Sequence, residues 1–158
     1  MVRLRLICRL IYRAAQVGKR RRAFLAEAAM CLLLARLELL FLSFARLSRR
    51  FGTLVPPTDP RASLARISAS PDVIYIAEEV GWAVTCAARY VPFKAVCLPQ
   101  AMAAHRMLRR RGITGAMHFG AAKDQVRLLE AHAWLDAAGV EVTGYPVAER
   151  LVEIACFV

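Results

Sequence analysis

One cysteine of this sequence occupies a position where its thiol could act as a nucleophile. Cys97 opens a predicted helix that tolerates Pro99 in its first turn and stops at Gly112. At a helix N-terminus, unpaired backbone N–H groups and the helix dipole stabilise negative charge and lower the pKa of a thiol. The same N–H groups could also bind the oxyanion that forms when sulfur attacks a carbonyl. Cys97 is therefore the candidate nucleophile.

A thiolate of this kind needs a base partner, and the chain has three histidines, His105, His118 and His132. His105 lies eight residues along the same helix, about 12 Å away at 1.5 Å per residue, so it cannot reach the thiol. His118 and His132 both lie on predicted strands and could reach it. We favour His132, because a period of two places it on one face with Trp134 and Asp136. The Trp134 ring would then shield an ion pair from water.

The spacing of the cysteines argues against a metal or a disulfide framework. There are five, an odd number, and they include no C-x-x-C pair. They also lie in different segments of the chain. The sequence therefore predicts no metal site and no cofactor.

The elements that must position these residues follow from periodicity and from turn residues. Predicted helices cover residues 2–17, 21–50, 73–90 (with Asp72 as the N-cap) and the helix from Cys97 to Gly112. Predicted strands cover residues 113–121, 127–136, 139–143 and 151–158, with a hairpin turn at 137–139. Helices followed by an antiparallel sheet predict an α+β fold.

Composition places most of the charge in one part of the chain. The 158 residues suffice for one ordinary domain with an extension, which excludes a multidomain enzyme, and 58% apolar residues exclude disorder. The net charge is +11, and residues 1–50 hold 12 basic and 2 acidic residues. A Pro-Pro pair at 56–57 marks a linker. We therefore predict a basic, apolar helical region over residues 1–55 and the chemical domain over residues 56–158.

The basic region suggests docking more than catalysis. Its longest uncharged apolar run, residues 28–35, is too short to span a membrane, and no cleavable signal peptide is evident, so we expect a cytoplasmic protein. The second helix is apolar nearly all round and must be buried or covered by a partner. Residues 1–17 form a basic amphipathic pattern suited to the inner face of a membrane. Specific nucleic-acid binding is not expected, because no recognised nucleic-acid-binding motif is present.

Several blocks of the sequence together resemble a known family. They are Cys97-Leu98-Pro99-Gln100-Ala101, Leu108 to Ile113, Phe119-Gly120, Ala131-His132-Ala133-Trp134 and Gly139, with looser similarity at 81–84 and 92–95. In this order and at this separation they resemble the transglutaminase-like B2 proteins of lasso-peptide biosynthesis. These are leader peptidases related to the C-terminal part of the microcin J25 maturation protein B.

The resemblance implies a transglutaminase-like or papain-like cysteine protease core. Cys97 would attack the carbonyl at the junction of leader and core, and His132 would activate the thiol and protonate the departing amine. We expect Trp134 and Gln100 to bind substrate, Gln100 through its amide, although it lies one turn into the helix. The family's leaders typically carry Thr as the next-to-last residue.

The resemblance also implies partners. The substrate would be a lasso precursor peptide, and an asparagine-synthetase-like cyclase would join the freed amine to an acidic side chain. The family uses a small winged-helix-like element to recognise the leader. Residues 1–55 are too short, too helical and too apolar to be that element, so we expect a separate recognition protein of the B1 type.

One departure from the family concerns the third member of its triad. The family has an acidic residue about a dozen positions after the histidine, where this chain has Thr143-Gly144. Asp136 ranks first as a substitute, and Glu141, across the hairpin, is the alternative. A scaffold that binds a precursor or a membrane surface without cutting is therefore a second hypothesis.

Overall fold

The computed structural model describes residues 18–122 and 130–158. In chain order its elements are α1 (Lys19–Phe41), α2 (Phe44–Phe51), β1 (Leu54–Val55), α3 (Pro60–Leu64), α4 (Pro71–Ala88), α5 (Cys97–Arg109), β2 (Gly115–Ala122), β3 (Glu130–Ala137), β4 (Val140–Thr143) and β5 (Val152–Phe157). The predicted α+β class is confirmed. The predicted helix over residues 2–17 lies outside the described residues.

The strands form one antiparallel sheet in the order β1-β5-β2-β3-β4. β2 and β3 pair along their whole length, so that Gly120 lies opposite His132 and His118 lies opposite Trp134. The predicted turn between β3 and β4 is confirmed, with Gly139 at a φ of 81°. Glycine reaches this left-handed conformation at little cost, which allows the tight hairpin.

One face of the sheet, the inner face, packs against helices. Met117, Leu135 and Phe157 of the sheet share a hydrophobic core with buried residues of α1, α4 and α5. α4 approaches the sheet closely at Gly81, where an added Cβ would lie 2.5 Å from the Val142 carbonyl oxygen. The helices therefore fix the position of β4 as well as that of β2 and β3.

The opposite, outer face is covered by the segment that follows β1. Ala116 and Cys156 form a smaller core there with Ala62 and Ala65, which come from α3 and the residue after it. Because side chains alternate along a strand, residues 118, 134 and 136 also belong to this face. All three are buried.

The N-terminal region departs from two sequence expectations. The predicted helix over residues 21–50 is interrupted at Leu42 and resumes at Phe44. α1 also shares the main core with α4 and α5, and residue 55, at the predicted boundary, lies in β1, which pairs with β5. The cause is the apolar character of α1, one side of which is buried in that core through Phe24, Ala28, Cys31, Leu32 and Ala35.

Ion pairs tie α1 to the rest of the domain. Glu27 binds Arg111 at 2.6 Å and Glu38 binds Arg106 at 2.7 Å, both arginines coming from the end of α5 or just beyond it. The other side of α1 is apolar and exposed, at Met30, Leu33, Leu37, Leu40 and Phe41. We call these five residues the α1 stripe. None of the helices in the described ranges combines the length and apolar character needed to cross a bilayer.

The start of α4 is also shifted from its predicted N-cap. Ser70 is the N-cap, with a ψ of 152°, and Pro71 occupies the first turn, so Asp72 lies inside the helix. A residue before proline avoids the helical region, and proline is favoured at the first helical position. These two preferences explain why the helix begins one residue after Ser70.

Candidate active site

Cys97 is the first residue of α5, as predicted, and is partly buried. Pro99 has no N–H, and the Gln100 N–H is bonded to the Val96 carbonyl at 3.2 Å. In the described part of the chain no hydrogen bond uses the N–H of Cys97 or Leu98. These two groups are therefore available to bind an oxyanion beside the sulfur.

Gln100 braces the chain just before the cysteine. Its Nε2 donates to the carbonyl oxygen of Ala95 at 2.7 Å. This bond uses one of the two amide hydrogens and fixes the turn that leads into Cys97. The predicted contact of Gln100 with substrate stays a prediction, and a positioning role is what the hydrogen bond shows.

The lengths of α5 and β2 bear on how Cys97 and His132 lie along the sheet. α5 has 13 residues, which is about 18 Å of helix. At about 3.3 Å per residue, the part of β2 from Gly115 to Gly120 covers a similar length. Gly120 is the register partner of His132. The element lengths are therefore compatible with the two candidate catalytic groups lying near one end of the sheet.

The imidazole of His132 is held by a backbone carbonyl. His132 Nε2 lies 2.6 Å from the carbonyl oxygen of Gly144. A carbonyl oxygen can only accept, so Nε2 carries the hydrogen, and Nδ1 of the neutral ring is the free base. A main-chain carbonyl therefore orients the imidazole.

Trp134 packs the imidazole from one side. Its ring is 4% exposed and is stacked near His132, with centroids 6.1 Å apart, and near His118, with centroids 5.5 Å apart. Two glycines make room for it. A Cβ on Gly120 would lie 2.8 Å from the Trp134 ring, and a Cβ on Gly144 would lie 2.7 Å from Trp134 Cβ. The shielding of an ion pair by Trp134 stays a prediction, and the packing places its ring beside the His132 ring.

Asp136 shares the face of His132 but does not bind it, which differs from the prediction. Its carboxylate accepts a hydrogen bond from Arg66 Nε at 2.8 Å and another from the Tyr145 hydroxyl, and it lies 3.2 Å from His118 Nε2. Burial opposes ionisation of Asp136, but the close contact with His118 and the hydrogen bonds from Tyr145 and Arg66 hold its pKa below the ordinary value. The strand spacing of two places Asp136 beyond Trp134, which separates it from the imidazole.

Asp136 is connected to His132 indirectly, through the backbone of residues 144 and 145. Tyr145, which it binds, directly follows Gly144, whose carbonyl holds the imidazole. Asp136 is thus a positioning residue for this turn. The alternative, Glu141, is the register partner of Asp136 but is exposed on β4.

His118, the histidine that ranked second, belongs to a separate buried cluster. Its Nδ1 lies 2.6 Å from Glu153 Oε1. Burial alone would lower the pKa of His118, but its bonds to Asp136, Cys156 and Glu153 raise it to about 10. A ring held in this way is a poor general base near neutral pH, which favours His132 for that role.

The thiol and the imidazole are not bonded to each other in this structure. Within residues 18–122 and 130–158 no hydrogen bond joins Cys97 to His132. The side chains of Ala133 and Leu135 point into the core shared with α5. Because side chains alternate along a strand, the side chain of His132 leaves β3 on the opposite, outer face of the sheet. Catalytic hydrogen bonds are often long in unliganded enzymes and tighten only with substrate.

The described residues form an α+β domain with a cysteine at the start of a buried helix and a histidine on a strand that packs against it. The model of the transglutaminase-like superfamily, as a core domain, matches residues 31–155, and the chain belongs to that superfamily. Searches of curated proteins and of solved structures gave no significant match. The superfamily includes cysteine peptidases, and the match covers Cys97 and His132.

Proposed function

We propose that this chain is a cysteine peptidase that removes the leader from a lasso-peptide precursor and frees the amine of the core. The observation that carries the proposal is the hydrogen bond from His132 Nε2 to the Gly144 carbonyl. It lies at the family's third triad position and leaves Nδ1 as the basic atom. The superfamily match and the blocks around Cys97 and His132 also support it.

In the first half of the reaction, His132 Nδ1 takes the proton of the Cys97 thiol as the sulfur attacks the carbonyl carbon of the scissile peptide. The N–H groups of Cys97 and Leu98 stabilise the oxyanion. The carbon–nitrogen bond then breaks, and Nδ1 returns the proton to the departing amine. The core leaves with a free amine, and the leader remains as a thioester on Cys97.

In the second half, water attacks the thioester carbon and gives its proton to His132 Nδ1. The carbon–sulfur bond breaks, the leader departs as a carboxylic acid, and Cys97 is restored. The Gly144 carbonyl keeps the correct tautomer throughout, because it holds the hydrogen on Nε2. Since it is neutral, it stabilises the imidazolium less than a carboxylate would.

The proposal includes partners. A separate recognition protein presents the leader, and an asparagine-synthetase-like cyclase uses the freed amine. The α1 stripe is the surface that we assign to the recognition protein, because its five large side chains are apolar and exposed. Association with the inner face of a membrane through residues 1–50 is a further proposal, based on their basic and apolar composition.

Two observations favour the second candidate, a scaffold that binds without cutting. The third triad position has no carboxylate, and no hydrogen bond joins Cys97 to His132 in the described residues. The two candidates make opposite predictions for one assay.

That assay incubates the full-length chain with the precursor and recognition protein encoded beside it and follows peptide masses. We expect cleavage by the wild type, and loss of at least about 10³-fold in rate for Cys97→Ala and for His132→Ala. Cys86→Ala, at a partly buried cysteine of α4, is the matched control and should cut normally. Absence of any cut with all components present would instead favour the scaffold.

A further inference from the structure

A second group of chemically active side chains lies on the outer face, away from Cys97. His118 of β2 and Glu153 and Cys156 of β5 have donor atoms that all lie within 4.8 Å of one another. The group is enclosed: the side chains of His118 and Glu153 are 1% and 23% exposed, and Cys156 is 0% exposed. The proposed peptidase chemistry uses none of the three.

An irregularity in the sheet assembles this cluster. Glu153 and Cys156 are three residues apart, so on a regular strand they would point to opposite faces. The register of β2 with β5 shifts between Phe119 and Gly120, which leaves Ile154 as the extra residue on β5. Cys156 therefore pairs with His118 and Glu153 with Gly120, and both point to the outer face. Bulges that re-aim side chains in this way are often found next to functional sites.

The donor set is one that zinc accepts. An imidazole nitrogen, a thiolate and a carboxylate are its usual protein ligands, at about 2.0 to 2.3 Å from the metal. Tetrahedral geometry then puts the donors about 3 to 4 Å apart. The distance of 2.6 Å from His118 Nδ1 to Glu153 Oε1 and the limit of 4.8 Å for the set require only small shifts to meet this geometry.

The surroundings of His118 match those of a metal ligand. A ligating histidine usually gives its second ring N–H to a carboxylate, which fixes the ring. His118 Nε2 lies 3.2 Å from Asp136 Oδ2, and Arg66 and Tyr145 hold that carboxylate from the other side. His118 Nε2 is buried and has no hydrogen-bond partner among the described residues, so its N–H is available to this carboxylate once a metal binds Nδ1.

We propose that His118 Nδ1, Glu153 Oε1 and Cys156 Sγ bind one zinc-class divalent ion, with water as the fourth ligand. The thiol proton and the proton shared between Nδ1 and Oε1 pass to solvent as the metal binds. The ion joins β2 to β5, and it steadies the outer face on which Trp134 stacks between His118 and His132. Cysteine spacing could not indicate this site, because its ligands come from two strands and include a single cysteine.

The test uses the full chain freed of metal with a chelator and titrated with Co²⁺ and then Zn²⁺. We expect one equivalent bound, a thiolate-to-cobalt charge-transfer absorption that Zn²⁺ removes, and a rise in the unfolding temperature. Cys156→Ser should lose the absorption, and Glu153→Gln, a conservative change at the rim, should weaken binding at least tenfold. Cys97→Ala is the control and should bind as the wild type does.

Circular dichroism of each variant separates loss of binding from loss of fold, and Glu153→Gln serves if Cys156→Ser does not fold. Binding of less than one equivalent, binding unchanged in Cys156→Ser and Glu153→Gln, or an absorption that disappears in Cys97→Ala would overturn the proposal. Because the readout is metal binding, failure here would leave the peptidase assay unaffected.

Discussion

At the scale of single residues, the site depends on Gly144. Its carbonyl accepts from His132 Nε2, and its φ is +88°. An added Cβ would lie 2.5 Å from the Ala133 carbonyl oxygen and 2.7 Å from Trp134 Cβ. No other residue type could hold the carbonyl in this place without moving β3.

We expect Gly144→Ala to lower the free energy of unfolding by about 3 kcal/mol, from strain at positive φ together with overpacking. It should also slow peptide cleavage, because the Gly144 carbonyl must move away from Trp134. Gly112→Ala is the matched control. Its φ is +69° but no atom lies within 4 Å of the added Cβ, so we expect a loss of only about 1 kcal/mol. Urea unfolding measures both, and equal losses would contradict the role given to the packing around Gly144.

Residue types and spacing predicted part of this site. The position of Cys97 at a helix start and the shared face of His132, Trp134 and Asp136 can be predicted, because helix ends and strand periods leave a pattern in the sequence. The role of the Gly144 carbonyl cannot be predicted from residue types, because every residue has a backbone carbonyl. Asp136 ranked first as the orienting group because it shares the strand face of His132, and only the fold shows that Arg66, Tyr145 and His118 contact it.

At the scale of elements, α5 positions the candidate nucleophile, and it contains a buried histidine that no reaction step uses. His105 is 7% exposed. Burial, with smaller contributions from Arg109 and Arg106, lowers the pKa of His105 to about 4. In the unfolded chain the same side chain takes up a proton near pH 6.5. The difference makes the stability of the fold depend on pH.

The sign follows from which state binds the proton. Between pH 6.5 and 4 the unfolded chain is protonated at His105 and the folded chain is not, so acid favours unfolding. From pH 7 to pH 5 we expect the free energy of unfolding to fall by about 2 kcal/mol through this residue. His105→Gln should flatten that dependence in urea titrations at the two pH values. A variant with the wild-type slope would show that other groups cause it.

Most helices and strands could be predicted from the sequence, and the exceptions show where apolar periodicity is not enough. α5 and the four longer strands show apolar periodicity and turn residues that agree with their final structure. α1 and α2 were predicted as one helix, because apolar residues continue through the break at Leu42. β1 and α3 lie in a proline-rich segment that reads as a linker, and they gain their structure from packing on β5 and the outer face.

At the scale of the whole molecule, charge and apolar surface are arranged around α1. Glu27 and Glu38, the two acidic residues of this basic region, bind arginines from the end of α5 or just beyond it and hold the helix to the domain. The opposite side of the helix presents the α1 stripe. α1 is thus packed against the domain on one side and exposed on the other.

The stripe gives a direct test of docking. Leu40 is 59% exposed on α1, and Leu64, on α3, is also 59% exposed. We expect Leu40→Glu to weaken binding of the recognition protein by about tenfold or more, because it places a charge in an apolar contact. Leu64→Glu adds the same charge at equal exposure and should leave the affinity unchanged. Calorimetric titration of both variants decides the matter, and equal affinities would remove the stripe from the interface.

The thioester that we propose between Cys97 and the leader can be trapped. The full chain is mixed with precursor and recognition protein, the reaction is quenched in acid, and the intact mass is measured. We expect an adduct equal to the leader less one water, mapped to Cys97 and lost in Cys97→Ala. An adduct on another cysteine, or full cleavage by Cys97→Ala, would contradict it.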